Sequence, residues 1–300
     1  MVQVKVAGRY KLEALKLDSS GQIISKRLLA DWFSNLITNG GLDRMATQLD
    51  YASRCHVGSG SNTPQVTDSS LQSWVAVTTT VNSNITGTNS SPLYAYSTRV
   101  YRFAEGAAAG NLSEVGIGWL SSNSGMFSRA LILDGDSNPT TITVLSDEVL
   151  DVTYELRFYA YVDDFTGTIN FTGSIGGSYD YIIRAAEVGT ILAPAAFVLL
   201  SCNAYTGDIQ AITGTPSGTT AALTVSSASY SAGTFERYVT VSASLTQANL
   251  VGGIRSLRLS FGASNTHTSR WQVQFTPNIP KTSSTILSIT FRISWSRYAS

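Results

Sequence analysis

The sequence predicts an all-β protein with one short helix. Segments rich in β-branched and aromatic residues fill most of the chain, as strands prefer. Clusters of Gly, Ser, Asn, Asp and Pro separate these segments, and only one stretch has helical spacing of its apolar residues. Short strands at this spacing are typical of a sandwich or a barrel. A length of 300 residues suggests about two domains, so we expect two β-sandwich-like domains in series, residues 1–163 and 164–300.

Charge is scarce and balanced. Charged residues make up 13% of the chain, against about 25% in an ordinary soluble protein. Lys plus Arg equals Asp plus Glu, at 20 each, so no basic field is present to hold a phosphate backbone. This predicts a protein that binds no nucleic acid. Uncharged surfaces suit subunit contacts, and a near-neutral protein tends to associate, so we expect a homo-oligomer.

The chain lacks the usual membrane signals. Its N-terminal segment alternates and carries charge, without the apolar core of a signal peptide. The longest apolar stretch, 188–202, is interrupted by Pro194 and falls short of the roughly 20 residues that span a bilayer. We therefore expect synthesis in the cytoplasm and no membrane insertion.

The first predicted element is a β-hairpin. Residues 10–17 and 22–33 both have strand composition, and the turn-forming sequence 18–21, Asp-Ser-Ser-Gly, lies between them. Two such segments around an Asp/Gly turn are typical of a hairpin.

The next element is the only predicted helix. Leu42, Met45, Ala46 and Leu49 recur at i, i+3, i+4 and i+7, which places them on one helical face. The sequence 39–41, Asn-Gly-Gly, predicts a sharp turn before the helix.

From residue 74 to the C-terminus the pattern is strand and turn throughout, and the two halves share an order of segments. Ser128-Arg129 would correspond to Ser269-Arg270, and Tyr154 would correspond to Phe291. Two interpretations remain open, the duplication of one β-domain and the convergence of generic strand patterns.

No catalytic or cofactor-binding constellation is evident. The chain has two histidines, His56 and His267, and no Gly-x-Ser-x-Gly motif. Asp163 and Asp164 are neighbours in a turn, whereas glycoside hydrolysis needs two acids across a cleft. We therefore expect a protein that is not an enzyme and holds no cofactor.

Metal binding is not expected either. Asp134, Asp136 and Asn138 imitate the start of a calcium loop, but Pro139 and Leu145 occupy the positions where Gly and Glu are required. They are interpreted as turn formers between two strands.

Some smaller patterns favour structural roles. Cys55 and Cys202 have no disulfide or zinc spacing and are expected to be buried thiols. His56 follows Cys55 on a strand, where neighbours point to opposite faces, so a structural histidine is expected. Tyr179 and Tyr181 share strand parity and could bind a sugar or a protein if exposed, but one of them is expected to face the core.

The segment 33–71 resembles the N-terminal signature of a family of tailed-bacteriophage virion proteins. In that family an Asn-x-Ile-Thr-Asn-x-Gly-Leu-Asp element precedes a strand with a Val-Gly-Ser/Thr-Gly turn, followed by Thr-x-Pro and Asp-x-x-Leu. Here the hairpin also matches, and the likeness covers about the first half of the chain. The signature residues are Asn35, Asn39, Gly41, Leu42, Asp43, Gly58, Gly60 and Pro64, together with Ile37, Thr38, Val57, Asp68 and Leu71.

The resemblance implies a structural component of the virion, in the tail, baseplate or tail fibre, that assembles with other phage proteins after synthesis in the host cytoplasm. Two other roles stay open: a capsid decoration or minor head protein, and a module that recognises a host surface glycan or receptor. The signature itself implies folding roles, with glycines that relieve steric restriction and a helix held over the sheet by Leu42, Met45 and Leu49.

Overall fold

The computed structural model describes residues 2–187, 198–264 and 267–298. Strands hold 57% of the residues and helix 2%, which confirms the nearly all-β class. Residues 188–197 of the longest apolar stretch lie outside the described residues. Of the described helical residues, none belongs to a helix long and apolar enough to cross a membrane.

The elements follow one another along the chain with a single helix among the strands of the described part. The first group is β1 (Val2–Leu17), β2 (Ile23–Ser34), β3 (Leu36–Ile37), α1 (Asn39–Met45), β4 (Arg54–Gly58), β5 (Trp74–Thr78), β6 (Val81–Ser90), β7 (Leu93–Phe103), β8 (Gly110–Leu112), β9 (Glu114–Gly118), β10 (Met126–Leu131), β11 (Ile142–Val144) and β12 (Val149–Ala160). The second group is β13 (Phe165–Asn170), β14 (Ser178–Glu187), β15 (Leu199–Tyr205), β16 (Thr220–Ser227), β17 (Glu236–Ala243), β18 (Ile254–Ser264), β19 (His267–Ile279) and β20 (Leu287–Arg297).

The predicted hairpin is confirmed as β1 and β2, which pair antiparallel. Asp18 fixes the turn. Its Oδ1 accepts hydrogen bonds from the backbone N–H of Ser20 at 2.8 Å and of Gln22 at 2.9 Å. This is the local hydrogen bonding that makes Asp a turn former.

The same turn recurs where the sequence imitates a calcium loop. Asp134 Oδ1 accepts from the backbone N–H of Asp136 and of Asn138, both at 2.9 Å. Ser137 has a φ of 65°, a left-handed conformation that glycine more commonly occupies. Asp134, Asp136 and Asn138 therefore form a turn, as the sequence indicated.

The helix is present but shorter than predicted. Thr38 caps its N-terminus by accepting a hydrogen bond from Gly41 N–H, so residues 39–41 form the first helical turn and do not precede it. Leu42 and Met45 are buried, whereas Leu49 lies beyond the C-terminal end and is 59% exposed. The assignment of Leu49 to the packed face was wrong. The helix ends before Leu49 because of tertiary packing. Fully buried Tyr51 packs on Phe127 at a ring-centroid distance of 4.9 Å, and the chain leaves the helical path to make this contact.

Contacts divide the chain into two compact units. Unit 1 comprises residues 1–5, 88–95 and 159–296, and unit 2 comprises residues 6–87, 96–158 and 297–300. Both units are discontinuous, since β1, β6, β7, β12 and β20 each contribute residues to both. The predicted division into 1–163 and 164–300 stays a prediction.

Unit 2 contains parts of one sheet in the order β2-β1-β12-β7-β6, a second sheet in the order β3-β10-β9-β4-β5, and the pair β11-β8. Tyr10 of β1 hydrogen bonds to Ser128 of β10 at 2.7 Å, so the two sheets meet over a common core. The helix packs on β10, since Thr38 Oγ1 donates to the Met126 carbonyl at 2.5 Å.

Unit 1 is formed around the strand order β13-β14-β19-β18-β15-β16-β17-β20. Its aromatic contacts include the edge-to-face pair Phe261 and Trp271, at 5.5 Å, and half-buried Tyr230 with buried Trp295, at 5.3 Å. Side chains of β13, β14 and β19 line the same cleft as side chains of β20, so the two ends of this strand order face each other.

Two adjacent glycines of α1 provide a matched test of the helix packing. A Cβ at Gly41 would lie 2.3 Å from the Phe127 carbonyl oxygen, whereas a Cβ at Gly40 would have no neighbour closer than 3.8 Å. We expect Gly41→Ala to lower the free energy of unfolding by about 2 kcal/mol or more through overpacking. Gly40→Ala should leave it unchanged or raise it by about 0.5–1 kcal/mol. Chemical denaturation measures both, and equal effects would contradict the packing described.

Candidate functional site

Two glycines of the signature, Gly58 and Gly60, lie against a buried carboxylate that sequence reasoning missed. Glu114, the first residue of β9, is fully buried. Its carboxylate accepts hydrogen bonds from three backbone N–H groups of the segment 59–73, at 3.0 Å from Gly60, 3.1 Å from Gln72 and 2.7 Å from Ser73. Glu114 therefore holds both ends of this segment, which we call the signature loop.

Arg129 of β10 completes the arrangement. Its Nε donates to Glu114 Oε2 at 3.0 Å, and its Nη1 donates to Asp68 Oδ2 at 2.7 Å. A third hydrogen bond, from Nη2 to the Asn62 carbonyl at 3.0 Å, reaches the first part of the loop. The guanidinium is 4% exposed and the Glu114 side chain 0%, so this is a buried, fully hydrogen-bonded ion pair.

The two signature glycines let the loop approach the carboxylate. Gly58 ends β4, and its carbonyl accepts from Ser113 N–H at 2.9 Å. A Cβ at Gly60 would lie 2.4 Å from Glu114 Oε1, so a side chain there would displace the acid that Gly60 N–H contacts. The Val-Gly-Ser-Gly turn is thus required by the buried acid, a role in folding.

The rest of the loop is fixed by side-chain amides and carboxylates. Asp68 Oδ2 also accepts from Gln65 N–H at 2.8 Å, which closes the turn that follows half-buried Pro64. Leu71 is buried, and the Asn123 side chain bonds both its N–H, at 2.8 Å, and its carbonyl, at 2.9 Å. The signature loop is therefore tied at several points to β9, β10 and their connection.

The helix is joined to the same loop. Asn39 N–H donates to the Val66 carbonyl at 2.7 Å, and Asn39 Oδ1 accepts from Arg297 Nη2 at 2.5 Å. Burial lowers the pKa of Arg297. Asn39 and Asp68 also line an open cleft of about 490 Å³ beside Trp119.

The other helical signature residues divide between core and surface. Gly41 lies against the Phe127 backbone and Leu42 is 1% exposed, whereas Asp43 is half-exposed. At Gly41 and Leu42, close packing therefore explains the expected folding role.

Asn35 lies apart from the loop, in a polar cluster inside unit 2. Its Nδ2 donates to Tyr154 Oη at 3.1 Å. Tyr154 in turn neighbours Ser128 Oγ at 3.5 Å, which bonds Tyr10 Oη at 2.7 Å. Burial raises the pKa values of Tyr10 and Tyr154, so both phenols stay protonated at physiological pH.

The predicted buried thiols are confirmed, since Cys55 and Cys202 are both free and buried. Burial raises the pKa of each thiol, which makes them poor nucleophiles. His56 is also fully buried, and neither ring nitrogen makes a well-formed hydrogen bond with a described residue. Burial lowers the pKa of His56 to about 4, against a smaller opposing contribution from the Leu120 backbone.

The remaining candidates lie in unit 1. Tyr179 is buried, which confirms that one of the two tyrosines faces the core, and Tyr181 is half-buried. Asp164 pairs with Arg184 at 2.6 Å, and this hydrogen-bonded guanidinium lowers the pKa of the Asp164 carboxyl. Asp163 is exposed.

The arrangement around Glu114 is suited to holding a loop. Both carboxylate oxygens of Glu114 accept hydrogen bonds. The Arg129 guanidinium donates its hydrogen bonds to other protein atoms. Across the described ranges, no group of three or more His, Cys, Asp or Glu side chains is placed to hold a metal ion. A signal for Glu114 was available in the sequence, as a single acid at the start of the otherwise uncharged strand segment EVGIG.

Comparisons with protein-family models, curated proteins and solved structures found no match for this chain.

Buried His56 predicts a pH dependence of stability. Its folded pKa of about 4 lies below the value of about 6.5 expected in the unfolded chain. The unfolded state therefore binds the proton first, and this contribution to stability is present above pH 6.5 and lost as the pH falls towards 4. We expect the free energy of unfolding to fall by about 2 kcal/mol between pH 7 and pH 4.5 because of this residue.

The control is His56→Gln, which removes the titrating group from the same position. Its free energy of unfolding, measured by denaturation across the same pH range, should fall less steeply than that of the wild type. NMR titration of the His56 ring in the unmodified protein measures the pKa directly. Parallel pH profiles and a ring pKa near 6.5 would contradict the prediction.

Proposed function

We propose that this chain is a structural component of a bacteriophage virion, in the tail, baseplate or tail fibre, and that it acts by protein–protein assembly. The resemblance of segment 33–71 supports the setting. The low and balanced charge supports large subunit contacts. In this role the chain catalyses no reaction. It binds other virion proteins and further copies of itself.

The observation that carries the assembly role is the surface of β2. Within the described residues this strand pairs with β1 alone, which leaves its other edge open. Ile23, Ile24 and Leu28 are 55%, 66% and 56% exposed, and Trp32 lies under the Arg9 guanidinium at 4.1 Å. Soluble proteins usually protect an edge strand from pairing with another chain. An open edge that carries aliphatic side chains supports a contact with another subunit.

The proposed arrangement has two β-sandwich-like domains in series. Residues 1–163 would attach to the particle, and residues 164–300 would face outward or bridge to a neighbour. This polarity rests on analogy with the family that segment 33–71 resembles. A capsid decoration or minor head protein is the main alternative, and it would use the same kind of surface at a different location.

Purified particles test the proposal through a double variant, Ile24→Lys with Leu28→Lys. Gold labelling of the wild-type protein should mark the tail. The variant should fold normally but enter particles at least about tenfold less, because each lysine must be desolvated in a subunit contact. Quantitative mass spectrometry of the particles measures incorporation.

Gln22→Lys is the matched control, since it adds charge to the same hairpin at an exposed turn without removing apolar surface. It should be incorporated like the wild type. Gold on the head would favour the decoration role. A protein missing from particles, or a double variant incorporated normally, would count against the proposal.

A further inference from the structure

The open cleft beside Trp119 contains polar groups that the fold does not fully use. It has a volume of about 490 Å³ and lies between the start of α1, the signature loop and the connection from β9 to β10. All of its lining belongs to unit 2. The residues on which the argument depends are Asn39, Thr67, Asp68, Ser69, Trp119 and Leu120.

The side-chain amide of Asn39 offers a donor to the cleft. Its Oδ1 accepts a hydrogen bond from Arg297 Nη2 at 2.5 Å, which fixes the orientation of the amide and leaves Nδ2 as its free end. Nδ2 donates to no atom of the described residues, and it is accessible to solvent. An amide nitrogen carries two N–H bonds and accepts none, so a ligand must meet it with an acceptor.

The carboxylate of Asp68 has the opposite bonding character. Arg129 Nη1 and the Gln65 N–H both donate to Oδ2, at 2.7 Å and 2.8 Å. Within the described part of the chain Oδ1 accepts no hydrogen bond, and the side chain is 21% exposed. Thr67 and Ser69 flank this acid in the sequence and are exposed, and each hydroxyl can both donate and accept.

The apolar part of the cleft is held in place by its neighbours. Trp119 is half-buried, and a Cβ at Gly125 would lie 2.8 Å from its Cε2, so the indole packs directly on this glycine. The Arg44 guanidinium lies 5.3 Å from the ring centroid. Leu120 adds an aliphatic side chain that is 44% exposed. An apolar surface with a few placed polar groups is typical of a small-ligand site.

We propose that this cleft binds a neutral carbohydrate of one or two pyranose rings. A sugar hydroxyl can donate to Asp68 Oδ1 and can also accept from Asn39 Nδ2. The C–H groups of the ring would pack on the exposed parts of Trp119 and Leu120. The volume lies within the range of small-ligand sites, about 300–1,000 Å³.

Other classes of ligand match only part of this lining. An ammonium group can donate to Asp68 but cannot accept from Asn39. A phosphate or carboxylate can accept from Asn39 but is repelled by the Asp68 charge. An apolar side chain would take both polar groups out of water without replacing their hydrogen bonds. A peptide backbone carries donors and acceptors, and it is therefore the competing occupant.

The inference uses none of the exposed side chains of β2. It therefore stands or falls separately from the proposed location in the virion.

The test is an NMR titration of the full chain with the methyl glycosides of glucose, galactose, mannose and N-acetylglucosamine. The reporters are the indole N–H signal of Trp119 and the side-chain amide signals of Asn39. We expect at least one glycoside to bind saturably, with a dissociation constant of about 1 mM, and to shift both sets of signals. A capped trialanine peptide should leave them unchanged.

Two variants address the cleft without touching its supports. Asn39→Asp keeps an oxygen for Arg297 and replaces the free donor by an acceptor, so it should weaken the binding at least about tenfold. Gly40→Leu places a side chain beside Trp119, where a Cβ would have no neighbour closer than 3.8 Å. It should abolish the binding by filling the cleft.

Asn111→Asp is the matched control. Asn111 is exposed, accepts from Thr143 at 2.9 Å through Oδ1 and does not line the cleft, so this variant should bind like the wild type. Absence of saturable binding by every glycoside would overturn the inference, and so would unchanged affinity in both cleft variants. Saturable binding of the peptide at the same signals, or an equal loss of affinity in Asn111→Asp, would also overturn it.

Discussion

The buried ion pair of Glu114 and Arg129 is the interaction on which the signature region depends. A carboxylate and a guanidinium lose their hydration when buried, and this cost is offset only when further hydrogen bonds satisfy them. Here the signature loop supplies those bonds, through three N–H groups to the acid and through Asp68 and the Asn62 carbonyl to the arginine. The ion pair holds the signature loop in place. The hydrogen bonds from the loop in turn offset the cost of burying the two charges. Loss of either partner would leave an uncompensated charge inside unit 2.

This mutual dependence gives a loop rich in Ser and Thr a structural role. Three of its backbone N–H groups, the Asn62 carbonyl and the Asp68 carboxylate bond the two buried charges, and the helix is attached to the same loop through Asn39. The exposed aliphatic side chains of β2 lie outside this loop.

Features set by neighbouring residues could be predicted from the sequence, and features set by distant packing could not. The hairpin turn was readable because Asp18 bonds to the backbone within four residues. Leu49 was misassigned because the helix end is determined by Tyr51 packing on Phe127, far along the chain. Glu114 stood out as an acid in an apolar strand, but its partners lie 15 to 54 residues away. Pattern alone did not show which ones would meet it.

The most direct test of this account is hydrogen exchange at the amides of Gly60, Gln72 and Ser73, measured by NMR in the wild type and in Glu114→Gln. Loop amides without a buried acceptor exchange readily, whereas amides held by a structural core exchange only through its opening. The account predicts that all three are protected nearly as strongly as the amides of β9, and that Glu114→Gln lowers their protection together. Exchange in the wild type as fast as that of an unstructured peptide would contradict it.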